Sequence, residues 1–195
     1  MKQRKNYSSE CFAVRVRESR EKWEPYVREE LSKQGISIKP ANDEDDMLKK
    51  IDGWLNHEPV QIKIRNTSVK NRNDFSFELI QNFNLIQPIS KQMNNPSLKG
   101  RDWKSPARHY FVLNRESNII YHIDGLKAKH AIRKAVDELE ELDFDLTKGS
   151  FISETSIEIK TTKERDLNSH SLFKVMVFIP VKLVLLKEYF LNTKS

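Results

Sequence analysis

Asp52, Gln61 and Lys63 are the residues of this chain whose types and spacing best suit chemistry on a phosphate. They lie in KIDGWLNHEPVQIKIRN, residues 50–66. Ile51–Leu55 and Val60–Arg65 are rich in β-formers, and the polar Asn56-His57-Glu58-Pro59 joins them as a tight hairpin would. With His57 and Glu58 as the two turn residues, Asp52 falls across from Lys63 and Trp54 across from Gln61. Side chains two apart on a strand share a face, so Asp52, Gln61 and Lys63 point the same way. Asp52 and Gln61 then lie on a diagonal roughly 6–8 Å apart. An anionic carboxylate oxygen and a neutral amide oxygen are hard donors suited to Mg²⁺. A lysine beside them would orient or help deprotonate an attacking water, or offset charge building on a phosphate. The plain alternative is an amphipathic edge strand with a solvated polar face, because Asp, a gap and Gln-x-Lys recur by chance.

Several elements must position these groups. From Glu21 to Gln34, Trp23, Tyr26, Val27, Glu30 and Leu31 recur at helical spacing, with Pro25 tolerated in the first turn and Gly35 where a helix stops. Ile36–Lys39 alternates as a strand. The acidic run Asp43–Asp46 reads as a solvated turn or the acidic start of a helix. Lys70–Asp74 is a polar linker, Phe75–Ile80 a further strand, and Gln87–Arg101 a Pro- and Asn-bearing loop. His109–Leu113 and Ile119–Ile123 form a second hairpin. Lys127–Leu142 is a helix with an apolar face, Phe151–Lys160 is strand-like, and Leu172–Leu186 is strongly apolar. This order implies an α/β or α+β protein with a mixed central β-sheet flanked by helices.

Length and charge set the bounds. A chain of 195 residues fits one domain with a sizeable core, here residues 20–195, preceded by a basic arm over 1–19 in which Phe12–Arg17 could form a strand. The formal charge of +6 makes the surface attractive to polyanions. The single cysteine, Cys11, excludes an internal disulfide and a cysteine zinc cluster. The N-terminus MKQRKNYSSE lacks the apolar core of a secretory signal, and Val175–Leu186, with Pro180 and Lys182, is too short and interrupted to cross a bilayer. The expectation is a reduced, cytoplasmic protein with no membrane partner. Val175–Leu186 reads either as a buried strand or as a surface for a homodimer.

The helix and hairpin together resemble the catalytic core of the PD-(D/E)XK nuclease superfamily, which includes Holliday-junction resolvases and Mrr-type restriction endonucleases. WEPYVREELSKQG is similar to that core's first helix, with Glu24 eleven residues before Gly35. IDGWL matches the aspartate element through Asp52. PVQIKIR is similar to the Mrr-type variant in which Gln stands for the acid, giving Gln61 and Lys63. The match covers roughly residues 20–66. Two features depart from the common pattern: Gln61 in place of an acid, which weakens the negative charge around a metal, and the absence of Pro before Asp52.

The resemblance implies a restriction-endonuclease-like core and a Mg²⁺- or Mn²⁺-dependent endonuclease acting on DNA. In that reading Asp52, the Gln61 side chain and the Ile62 carbonyl hold the metal, Glu24 reaches it directly or through water, and Lys63 positions the nucleophile. Glu24 reads equally well as an ordinary acidic helix start. Arg65, Lys70, Arg72, Lys99, Arg101, Lys104 and Arg108, interleaved with Trp103, suit phosphate contacts and stacking. Glu78 is a further carboxylate set aside from the ligand set. The competing class is a non-catalytic nucleic-acid-binding module on a degenerate nuclease fold, and RNA is not excluded as the substrate.

Overall fold

The computed structural model describes residues 14, 17–65, 74–84, 87–165 and 171–191. Cys11, Lys70, Arg72 and most of the expected Phe12–Arg17 strand lie outside them. Arg17 and Glu18 are helical and lead into a wide π-type turn, Ser19–Trp23, which runs straight on into α1 (Glu24–Lys33). Then follow β1 (Lys39–Pro40), a second π-type turn (Asp45–Lys49), β2 (Gly53–Leu55), β3 (Glu58–Arg65) and β4 (Asp74–Ile80). Two short helices, α2 (Ile89–Asn94) and α3 (Arg101–Lys104), precede β5 (His109–Asn114), β6 (Ile119–Asp124) and the long α4 (Gly125–Glu141). The chain ends in β7 (Phe151–Ile152), β8 (Glu158–Arg165), β9 (Ser171–Pro180), α5 (Val181–Val184) and β10 (Leu185–Phe190).

The strands form two sheets. A mixed sheet runs β1-β2-β3-β5-β6-β10, in which β3 and β5 are parallel and the other neighbours antiparallel. A second, antiparallel sheet runs β4-β9-β8-β7. The α/β class with a mixed sheet is therefore as expected, but the flanking layer is largely a second sheet, and α1 and α4 are the only helices of ten or more described residues.

Alternation along the strands explains the layers. Val60 and Ile62 of β3, Phe111 and Leu113 of β5 and Ile120 of β6 point to one face, where Val27 and Leu31 of α1, one helical turn apart, cover them. Tyr110, Val112, Tyr121 and Ile123 point to the other face. They pack on Phe75 and Phe77 of β4, on Val177 and Ile179 of β9, and on Ile132 and Val136 of α4. Asp124 caps α4 by accepting from the N–H groups of Leu126 and Lys127, both at 2.9 Å.

Three expectations need correction. The hairpin turn is Asn56-His57 rather than His57-Glu58, with Leu55 paired to Glu58 and Gly53 to Val60. Both turn residues have positive φ, 49° and 68°, the type I′ geometry whose twist matches the strands. The paired register ends at Gly53, and the Asp52 N–H donates to the Val60 carbonyl, so Asp52 is not set across from Lys63, while Gln61 and Lys63 keep a common face by alternation. The Gln87–Arg101 stretch is not a plain loop, since it contains α2 and begins α3. Ile36–Lys39 contributes only its last residue to a strand, β1. Val175, Val177, Ile179, Val181 and Val184 are buried core, in keeping with the buried-strand alternative for that run, while Leu186 at its end is 51% exposed. The acidic run does start a helical turn, with Lys49 paired to Asp45 at 2.6 Å and Arg20 to Asp46 at 2.7 Å. Among the described residues no helix is long and apolar enough to cross a membrane.

Candidate active site

The site forms because β2 stops early. Beyond Gly53 no described strand pairs with that edge of β3, and the side chain of Asp52 takes the vacated place: its Oδ2 accepts the Ile62 N–H at 2.6 Å. The Asp52 N–H donates to the Val60 carbonyl at 2.8 Å. Since a strand residue sends its N–H and C=O to the same edge, the Ile62 carbonyl faces this side too. Arg28 of α1 ties the helix to the same corner, its Nη2 donating to the Asp52 carbonyl at 2.6 Å and meeting Glu24 Oε2 at 3.4 Å.

Between this edge, the start of α1, β4 and α3 lies a cleft of about 330 Å³ whose walls include Glu24, Ile62, Lys63, Glu78, Arg101 and Asp102. Lys63 Nζ donates to Asp102 Oδ2 at 2.6 Å and to the Ser76 carbonyl at 3.3 Å, above the ring of Phe75 at 5.2 Å. An ammonium has three N–H groups, so one remains for a ligand. Asp102 is 4% exposed and also accepts the Glu78 N–H at 2.7 Å, so two partners fix the carboxylate that anchors Lys63. Glu78 accepts the Arg101 N–H at 2.9 Å and pairs with Lys174 at 3.2 Å. The Arg101 N–H and Lys174 outweigh burial and hold the Glu78 carboxyl below its usual range.

Two carboxylates behave differently. Burial raises the Asp52 carboxyl above its usual range, against the pull of the Ile62 N–H. Glu24 is pushed up to about 7, first by burial and next by the charge on Asp52. Arg28 offsets only part of this. A carboxyl that titrates near neutrality at a cleft marks a functional candidate.

The structure therefore brings Glu24, Ile62, Lys63, Arg65 and Arg101 to one cleft, with Asp52 directly behind Ile62 and 6% exposed. It does not bring Gln61 there. Gln61 is fully buried, and neither of its amide atoms has a hydrogen-bond partner among the described residues. Arg65 is engaged by the Asp74 carboxylate at 2.5 Å. Arg108 sits at the opposite end of β3, 3.3 Å from Glu58, and is not part of the cleft. Lys99, just before α3, and Lys104, its last residue, do not line the cleft. Trp103 is 7% exposed, which removes it as a stacking platform. Asp102 was not foreseen: its meaning depends on Lys63, 39 residues earlier, and RDWK carries no local pattern that announces it.

Among the described residues there is no group of three or more His, Cys, Asp or Glu placed to hold a metal ion. What the corner offers a cation is two carboxylates, Glu24 and Asp52, and a backbone oxygen at Ile62. That donor set is all hard oxygen, and it has one charge too many for its burial, as the raised Glu24 carboxyl records. It fits Mg²⁺ or Mn²⁺ with water completing the shell. Compared with known proteins, the chain matches no family model, no curated protein and no solved structure.

Proposed function

We propose that the chain is a Mg²⁺- or Mn²⁺-dependent DNA endonuclease built on a restriction-endonuclease-like core. The observation that carries this reading is the meeting of Glu24, with its carboxyl near 7, Ile62 and an anchored Lys63 in one cleft, backed by Asp52. Glu24, Asp52 and the Ile62 carbonyl would hold the cation, and Gln61, sealed in the interior, drops out of the ligand set. The bound cation would supply charge neutralisation for a phosphoryl group under attack.

The chain's own residues divide the remaining work. Asp102 and Ser76 hold the Lys63 ammonium, whose third N–H positions a water or a phosphoryl oxygen. Arg101, at the mouth of the cleft, offsets phosphate charge. Arg28 holds α1 against Asp52 and so sets where Glu24 stands.

The test is incubation of supercoiled, linear, single-stranded and branched DNA with Mg²⁺ or Mn²⁺ and with chelator. Cleavage should require the metal and fall at least about 100-fold in Lys63→Ala, the size of a lost positioning or proton-transfer group. If no substrate is cut, or if Lys63→Ala cuts as well as wild type, hydrolysis is wrong. DNA bound but uncut would make the chain a binding module.

A further inference from the structure

We infer that Lys129 and Arg133 of α4, together with Lys99, form a phosphate-binding patch that carries a polynucleotide backbone out of the cleft and across α3. The inference deepens the proposed function and rests on its nucleic-acid reading. Lys99 was already a phosphate candidate, whereas Lys129 and Arg133 are residues that no spacing in the chain pointed to.

The four residues of α3 connect two surfaces. Arg101 and Asp102 face the cleft, while Trp103 turns the other way, packed edge-on to Phe77 with ring centroids 6.1 Å apart. Over that indole stand Arg133 at 5.5 Å and Lys129 at 5.8 Å, one helical turn apart on α4. Lys129 Nζ donates to the Ser105 carbonyl at 2.5 Å, so the chain just beyond α3 fixes it in place. Burial, Arg133 and Lys99 all push its ammonium below its usual range, and Asp102 only partly offsets them.

The arrangement is unlike that of the other cations near the cleft. Arg28, Lys63, Arg65 and Lys174 each meet a carboxylate within 4 Å. Lys99, Arg101, Lys104, Lys129 and Arg133 form no such ion pair with a described residue. Two like charges held over one buried ring, against their own repulsion and with Asp102 offsetting it only in part, gain from an external anion. Because the patch continues from Arg101, which lines the cleft, an extended polyanion serves both, and phosphates are the groups such cations contact. Trp103, being covered, contributes by holding the cations over its face and not by stacking on bases.

The experiment is fluorescence anisotropy with a labelled 20-base-pair duplex in chelator across a salt series, repeated with single-stranded RNA of equal length. Lys129→Gln/Arg133→Gln should weaken binding roughly tenfold and lower the salt slope by about 2, one for each phosphate that is no longer neutralised. The exposed Arg133→Gln alone should lower it by about 1, and serves if the double variant folds poorly. Lys127→Gln/Lys134→Gln makes the same charge change on another face of α4 and should alter neither value appreciably. Equal loss in this control, or wild-type binding by the double variant, overturns the patch while leaving the cleft and its cleavage test intact. No binding of either polynucleotide by the wild type overturns both readings. Selective loss on one polymer identifies which of the two the patch carries.

Discussion

The two ends of the β3–β5 pair handle their polar groups in opposite ways. At the Glu58 end, His109 Nε2 meets Glu58 Oε2 at 2.7 Å and His109 Nδ1 meets His122 Nε2 at 3.0 Å. Arg108 pairs with the same Glu58 at 3.3 Å, and the His122 ring stacks on Phe111 with centroids 4.3 Å apart. Every group there finds its partner within the fold. At the Ile62 end, Glu24 and Asp52 repel, and Gln61 and Arg28 Nε lack hydrogen-bond partners among the described residues. An unsatisfied buried group costs about 1–3 kcal/mol. One end of the same strands is thus assembled for stability, while the other keeps a deficit that a cation or phosphate could relieve.

The largest test of this contrast is pH. Glu24 has a folded value of about 7 against 4.5, so its ionisation works against folding: stability falls as pH rises from about 4.5 to 7. His122 is pushed down to about 4 from 6.5 by burial and then by His109. The unfolded chain takes up that proton first, so stability falls as pH drops from about 6.5 to 4. Each effect amounts to at most about 3 kcal/mol in full, and at most about 2 kcal/mol between pH 5 and 7.5, since solvent screening of these partly exposed groups lowers both. In the wild type they nearly cancel. Urea unfolding of Glu24→Gln should show stability rising with pH, and of His122→Asn stability falling with pH. Adding Mg²⁺ at pH 7.5 should stabilise the wild type but not Glu24→Gln. Parallel pH profiles for all three proteins would erase the distinction between the two ends.

A smaller effect separates the ends by position. Gly100 leads into α3, and a Cβ there would stand 2.4 Å from the Glu78 carbonyl oxygen, with backbone and no flexible side chain in the way. Gly100→Ala must therefore shift α3, and Asp102 with it. The expected loss is about 1.5 kcal/mol, within the usual cost of overpacking. The cleft should lose its Lys63 anchor and its activity, whereas the imidazole signals of His109 and His122 in NMR should keep their wild-type positions. Shifted imidazoles would mean that the ends are coupled.

These ends also differ in how much could be read from sequence. Periodicity over a few residues reveals α4, the β5–β6 hairpin and the strand at Phe75–Ile80, because one element's own pattern decides them. It does not say that β4 leaves the first sheet to pair with β9, a choice made by partners about a hundred residues away. At the cleft, Lys63 was named from its type and strand spacing, Glu24 and Ile62 by likeness to a family motif, and Arg101 as one of a set of basic residues. Asp102 and Lys129 were not, because each matters through a residue distant in the chain. Gln61 failed for a related reason: its strand face was right, but burial beneath the second sheet is not written in the alternation of β3. At the Glu58 end the hairpin was expected and Arg108 was assigned to phosphate, but the Glu58–His109–His122 chain was not foreseen, since cross-strand His109 and His122 become neighbours only through the β5–β6 register.

The smallest predicted effect concerns what holds that register. Asn56 and His57 both adopt positive φ, which asparagine tolerates and histidine tolerates less well. A side chain in this region costs about 1–2 kcal/mol, while glycine adds about 0.5–1 kcal/mol of unfolded-chain entropy. His57→Gly should therefore stabilise the protein by about 0.5 kcal/mol, seen as a higher urea midpoint at unchanged slope. The ring of His57 is exposed, so its loss removes little else. Because this turn fixes Gly53 opposite Val60, it also decides that Asp52 reaches the Ile62 N–H. A stabilised turn should leave DNA cleavage untouched, whereas Asn56→Val, a β-branched residue where φ is positive, should lower stability and cleavage together. If Asn56→Val cost neither, the register would be set by the sheet and not by the turn.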